Sequence, residues 1–271
     1  MIHLLYKYIL FIFLTQNHIS VRLKANIPII SPKSIYIFSP KTSNQKSYVN
    51  VLKNMSYPLV FATGPAGTGK TLFSCIEAIK SLENGKIEKI VITRPLITVQ
   101  EEEIGFLPGS MTSKMDPWTR PIFDIFQKFF TTHEINSMVQ NHVIEIAPLA
   151  FMRGRTFDNT FIIADEMQNS SPQQMLMLTT RIGNNSKLVI CGDADQTDRI
   201  CQETNGLSDF LYRYKLHQIE ESIKIIEFNN SDIRRSAIVA SILNIYKKPS
   251  YIINNNNNPN YFKKSDASLD S

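Results

Sequence analysis

Six short apolar runs recur along the chain, at residues 59–62, 89–93, 142–147, 161–164, 188–191 and 223–228, with helix-compatible stretches between them. Strand-length runs alternating with helical segments predict an α/β domain built on a parallel sheet with helices on both faces. Phe161-Ile162-Ile163-Ala164 and Leu188-Val189-Ile190-Cys191 carry no polar alternation, as expected of strands covered on both sides, and are predicted to be central.

Sheets of this kind bind ligands at the carboxyl ends of their strands, so the residues just beyond each run are where chemistry is expected. After the first run stands Gly64-Pro65-Ala66-Gly67-Thr68-Gly69-Lys70-Thr71, which fits G-x-x-x-x-G-K-[ST] between a strand and a helix. The glycines allow backbone angles closed to other residues, amide N–H groups can wrap phosphates, and the helix that follows points its positive end at the same anion. A nucleoside triphosphate is the predicted ligand. Lys70 is expected to neutralise its β- and γ-phosphates and Thr71 to hold Mg²⁺.

Thr93-Arg94-Pro95 follows the second run, Asp165-Glu166 the fourth and Gly192-Asp193-Ala194-Asp195-Gln196 the fifth. Four apolar residues ending in Asp165-Glu166 have the form of a Walker B segment. Asp165 is expected to support Mg²⁺ and Glu166 to polarise the attacking water, since a carboxylate in hydrogen-bond reach of a poor nucleophile contributes typically ~10²- to 10⁴-fold. The competing reading is a pair of acids that cap the next helix, whose start is signalled by Ser170-Ser171-Pro172. Gln196 stands where a neutral donor can sense the γ-phosphate, although a plain helix-capping loop contains the same residue types. Arg153, Arg155, Arg234 and Arg235 supply two guanidinium pairs near the sheet, one of them a candidate arginine finger.

Composition narrows the setting. With 43 % hydrophobic residues over 271 positions, one main core is expected. Cys75, Cys191 and Cys201 have no paired spacing, which argues against a disulfide framework or zinc site and for a reducing, cytoplasmic interior. The net charge of +5 is uneven, because residues 1–76 hold eight Lys or Arg and no acid. Such an arm suits nucleic acid or an anionic surface and also fits an organelle-targeting peptide. The apolar stretch at 9–14 is far short of the ~20 residues that span a bilayer, so no membrane anchor is expected. Residues 1–38 form a basic, acid-free segment, 39–250 the catalytic domain and 251–271 an Asn-rich tail expected to be disordered. Basic and aromatic residues interleave around Trp118 and Phe126 in the manner of a single-strand stacking platform, but Phe123, Phe126 and Phe130 fall at helical spacing, which favours core. His133 and His217 lack metal spacing.

Taken together, these residues resemble the PhoH-like family of P-loop ATPases, related to superfamily-one helicase motor domains. The resemblance runs from about residue 39 to 242 and adds Asn44-Gln45-Lys46, Gly105-Phe106-Leu107-Pro108-Gly109, Met152-Arg153-Gly154-Arg155-Thr156-Phe157, Asp165-Glu166-Met167-Gln168-Asn169 and Asp232-Ile233-Arg234-Arg235 to the motifs above. It implies a RecA-like domain that binds and hydrolyses ATP with Mg²⁺, with Gln45 placed like an adenine-contacting glutamine and Arg235 like the family's late arginine. It also implies a link to single-stranded RNA or DNA. Some members carry an N-terminal nuclease domain, but the 63 residues before Gly64 contain no acid to bind catalytic metal, so nuclease activity is not expected. One motor core rather than two implies that unwinding would need a homo-oligomer, with a ring as one closed form and an arginine supplied by a neighbour. Two rivals remain: a small-molecule kinase, and a nucleotide-dependent assembly or switch protein with no nucleic-acid partner.

Overall fold

Helix α1 (Ser43–Lys53) opens with a capping box, in which the Thr42 side chain accepts from Gln45 N and the Gln45 side chain reaches back to the cap. Then come β1 (Leu59–Thr63), α2 (Lys70–Glu83), β2 (Lys89–Thr93), α3 (Thr132–Gln140), β3 (Ile144–Ile146), β4 (Thr160–Ala164), α4 (Pro172–Thr179), β5 (Lys187–Gly192), α5 (Gly206–His217) and β6 (Ile223–Glu227). The computed structural model describes residues 38–95, 120–194, 205–217 and 221–234, with 238 and 242. By its internal contacts the chain divides into residues 1–234 and 235–271, and the second unit lies almost wholly outside the described residues.

Every strand pairing is parallel, and the order is β3-β2-β4-β5-β1-β6. This is the architecture of a RecA-like P-loop NTPase: an α/β parallel sheet flanked by helices. The period-2 geometry of strands divides the apolar residues between two cores. Val60, Ala62, Ile90, Ile92, Phe161, Ile163, Val189 and Cys191 face one core, completed by α1, α2 and α3. Leu59, Phe61, Val91, Ile162, Ala164, Leu188 and Ile190 face the other, beneath α4 and α5. The aromatic stripe is core, since Phe126 and Phe130 are buried and Phe123 packs against them.

The third strand is shorter than the run at 142–147. His142 takes a left-handed backbone (φ 56°), and pairing starts only at Ile144. β5 begins one residue before the apolar run, at Lys187. That side chain is wholly buried, and its ammonium donates to the carbonyls of Val51, Asn54 and Tyr57 at 3.2, 2.9 and 2.8 Å. Carbonyls from the last turn of α1, its C-cap and the segment after it thus satisfy a group whose burial pulls its pKa down to about 8.

Register brings the strand ends level. Thr63 pairs with Gly192 and Ala164 with Ile190, while Gly64 N donates to Gly192 O and Asp165 N to Thr93 O. The turns after β1, β2, β4 and β5 therefore open on one crevice.

Candidate functional site

The turn after β1 needs glycine at two points for different reasons. At Gly64 (φ 120°) a Cβ would lie 2.2 Å from Phe228 O, so the backbone just after β6 approaches too closely for any side chain. At Gly69 (φ 93°), immediately before α2, a Cβ would strike the Phe73 ring at 2.8 Å in a backbone conformation that other residues rarely adopt. The first N–H groups of α2 have no intrahelical partner and point toward this turn. Lys70 folds back over the loop, donating to Gly64 O and, at 2.9 Å, to Pro65 O. Burial pulls the Lys70 pKa below that of an ordinary lysine, opposed by the charges of Asp193, Asp165 and Glu166.

The acids at the end of β4 meet this loop directly. Thr71 Oγ1 donates to Asp165 Oδ1 at 2.8 Å, and Arg94 Nη2 donates to Asp165 Oδ2 at 2.6 Å. Asp165 is buried, whereas the Glu166 side chain is 50 % exposed and faces Arg94 at 3.8 Å. Glu166 sits in the left-handed region (φ 54°), a conformation that costs a non-glycine residue roughly 1–2 kcal/mol and lifts its carboxylate out of the strand line. As a donor set, one hydroxyl and one carboxylate are hard oxygens. Among the described residues no cluster of three His, Cys, Asp or Glu surrounds them. Few protein oxygens suit Mg²⁺, which keeps waters and takes its remaining ligands from phosphates, so the set fits that ion.

Gln168 belongs to the segment Asp165-Glu166-Met167-Gln168-Asn169, whose pattern gives it no role. It is buried, its amide donates to Glu166 Oε2 at 2.6 Å, and its carbonyl accepts from Asp193 N at 3.1 Å. One side chain thus ties the exposed acid to the turn after β5. Its signal would have been a run of polar residues, Gln168-Asn169-Ser170, that proves to be buried.

Gln45 is also buried and holds the loop from the other side. Its amide donates to Thr68 O at 3.0 Å and Asp232 O at 3.3 Å, and its oxygen accepts from Lys41 N and Thr42 N. In this arrangement the amide is spent on the loop, and contact with a base would require releasing one of those bonds. Asp232 accepts from Asn44 Nδ2, and Arg234 N donates to Gly67 O at 3.1 Å, so the turn after β6 packs on the loop as well. Burial would raise the Asp232 pKa, but hydrogen bonds from Thr42, Asn229 and Asn44 outweigh it and hold the pKa low.

Arg155 is not brought to the crevice. Its guanidinium grips both oxygens of Glu145 on β3 and lies over the Phe157 ring. Gln196, Arg235, Asp195 and the motif at 105–109 lie outside the described residues. His133 and His217 are exposed. Among the described residues no helix is long and apolar enough to cross a membrane.

A family model described as "PhoH-like protein" matches residues 37–247. The chain belongs to the PhoH-like family. Among its PhoH-like relatives, the "PhoH-like protein" of Bacillus subtilis (strain 168) is 41 % identical over 208 residues, covering 77 % of this chain and 63 % of the relative. "Protein PhoH" of Escherichia coli (strain K12) is 36 % identical over 211 residues, covering 77 % and 58 %. The PhoH-like chain therefore spans about three fifths of the length of these relatives. Among solved structures, the Pif1 helicase from Candida albicans aligns over 71 % of this chain and 40 % of its own, with 17 % identity and a TM-score of 0.37. The Pyrococcus furiosus Hef helicase domain aligns over 69 % and 39 %, with 14 % identity and a TM-score of 0.39.

Proposed function

We propose that this chain binds ATP with Mg²⁺, hydrolyses it, and couples the turnover to single-stranded RNA or DNA as a homo-oligomer. The observation that carries the reading is the convergence of Thr71 and Asp165 at 2.8 Å, with Glu166 beside them and Lys70 across the turn. The residues 64–71 cradle the triphosphate tail, and Lys70 exchanges its loop carbonyls for phosphate oxygens, which relieves the cost of burying its charge. Thr71 and Asp165 hold Mg²⁺, which, when bound, neutralises charge on the phosphate oxygens. Glu166 accepts the proton of the attacking water while the new O–P bond forms at the γ-phosphorus and the bond to the bridging β–γ oxygen breaks. Gln196 and Arg235 are assigned to sensing the γ-phosphate and to stabilising its developing charge, and Gln45 to fixing the loop beside the base.

The acid-free, lysine-bearing first 76 residues support a polyanionic partner. Phosphate release from ATP, measured alone and with single-stranded RNA or DNA at several salt concentrations alongside the mass in solution, tests the whole reading. Hydrolysis without an acceptor, raised by nucleic acid in a salt-sensitive manner, is the expected result. A requirement for a small-molecule acceptor would replace the reading with a kinase. Hydrolysis indifferent to both nucleic acids would leave an assembly or switch ATPase.

A further inference from the structure

Arg94 received no role from the sequence, yet its guanidinium forms ion pairs with both acids on which the proposed reaction depends. It follows β2 directly, and its backbone is pinned because Leu149 N donates to Arg94 O at 3.1 Å. Its side chain is 14 % exposed, and its guanidinium lies 2.6 Å from Asp165 Oδ2 and 3.8 Å from Glu166 Oε1. With Thr71 on Oδ1, both oxygens of Asp165 are engaged. A guanidinium stays charged at every accessible pH, so this neutralisation is permanent unless the side chain moves.

A divalent ion drawn to Asp165 meets a carboxylate whose charge is already balanced. Its attraction to the site is correspondingly weak, because charges a few ångströms apart in a half-buried crevice interact strongly. A triphosphate changes that balance by bringing several negative charges to the loop beside Lys70, and the metal it carries can then displace the arginine.

We infer that Arg94 is an internal counter-cation that keeps bare divalent ions off Asp165 and yields that carboxylate only to a metal arriving with nucleotide. The inference rests on the reading of this crevice as a Mg²⁺–nucleotide site. Arg94 acts as a positioning residue for the acids and as a selector for the loaded metal, which ties metal entry to substrate entry.

The test is binding of Mn²⁺ by the full chain without nucleotide, followed by electron paramagnetic resonance, in wild type, Arg94→Gln and Arg94→Lys. Wild type and Arg94→Lys are expected to bind bare Mn²⁺ weakly. Arg94→Gln is expected to bind it about tenfold more tightly or better, and adding Asp165→Asn should abolish that gain. Equal or weaker Mn²⁺ binding in Arg94→Gln overturns the inference. Should Arg94→Gln fail to fold, wild type still decides: Mn²⁺ that binds at Asp165 as tightly without ADP as with it overturns the proposal, and a gain of about tenfold on adding ADP supports it. Titration of wild type with a fluorescent ADP and Mg²⁺ separates the two levels. Absence of nucleotide binding sinks the functional reading itself, whereas normal binding with no Arg94 effect sinks only this inference.

Discussion

Thr71 and Asp165 stand 94 positions apart in sequence and meet through a 2.8 Å hydrogen bond across the strand that separates β1 from β4. A hydroxyl from the P-loop helix and a carboxylate from the β4 end thus form one oxygen pair. Asp165→Asn keeps the shape and removes the charge that a metal needs. The Mg²⁺-dependent part of nucleotide affinity is expected to fall by about tenfold or more, while affinity measured in chelator changes little. Fluorescent-ADP titrations with and without Mg²⁺ check it, and equal losses in both would assign Asp165 to the loop's structure instead.

Glu166 extends from a strained backbone into the open crevice, half exposed, and has no bond to the P-loop helix among those described. Its chemistry is therefore separable from binding. Glu166→Gln is expected to bind nucleotide within about twofold of wild type and to lose about 10²-fold or more in turnover. Phosphate-release rates set against nucleotide titrations measure the two separately. Turnover close to wild type would remove Glu166 from its role.

Gln168 spans from that carboxylate to Asp193 N, so any displacement of the turn after β5 is transmitted to the acid. Gln168→Leu removes the hydrogen bonds to Asp193 N and to Glu166 Oε2, while the 3.8 Å ion pair of Glu166 with Arg94 stays. It is expected to lower turnover by about tenfold with nucleotide affinity nearly intact. Gln168→Glu is the sharper probe, because it replaces the donor to Glu166 with a second carboxylate that repels it, and turnover is expected to fall further than in Gln168→Leu. Equal turnover in Gln168→Glu and wild type would reduce Gln168 to packing.

The parallel sheet, its buried central strands and the start of α4 at Pro172 were legible because each rests on local pattern: continuous apolar runs, and a capping box between Ser171 and Gln174. The P-loop was legible for a similar reason, since its chemistry is written in contiguous residues. What the sequence hid depends on long-range approach. Arg94 reaches an acid 71 positions away, Gln168 joins two turns 25 positions apart, and Gln45 bonds to Thr68 and Asp232, 23 and 187 positions on. Lys187 was hidden for the opposite reason. A lysine beside an apolar run reads as a solvated strand boundary, and only three carbonyls from another segment make its burial tolerable.

Glu145 offers a test of stability separate from the crevice. It lies on the short edge strand β3, opposite Val91 of β2, where Arg155 grips both of its oxygens and Lys89 donates to one. Hydrogen bonds from Arg155, opposed by burial and aided by Lys89, pull its pKa down from 4.5 to about 2. Because the folded pKa lies below the unfolded value, the contribution is complete above the unfolded pKa and is lost as pH falls through the window from about 4.5 to about 2. Discounted for the solvent that reaches this surface cluster, it amounts to about 1–2 kcal/mol. Glu145→Gln is thus expected to be less stable than wild type at pH 7 and to lose less stability on acidification. Urea unfolding at pH 7, 5, 4 and 3 measures both slopes, and parallel pH dependence in the two proteins would show that the cluster does not hold β3 to the sheet through charge.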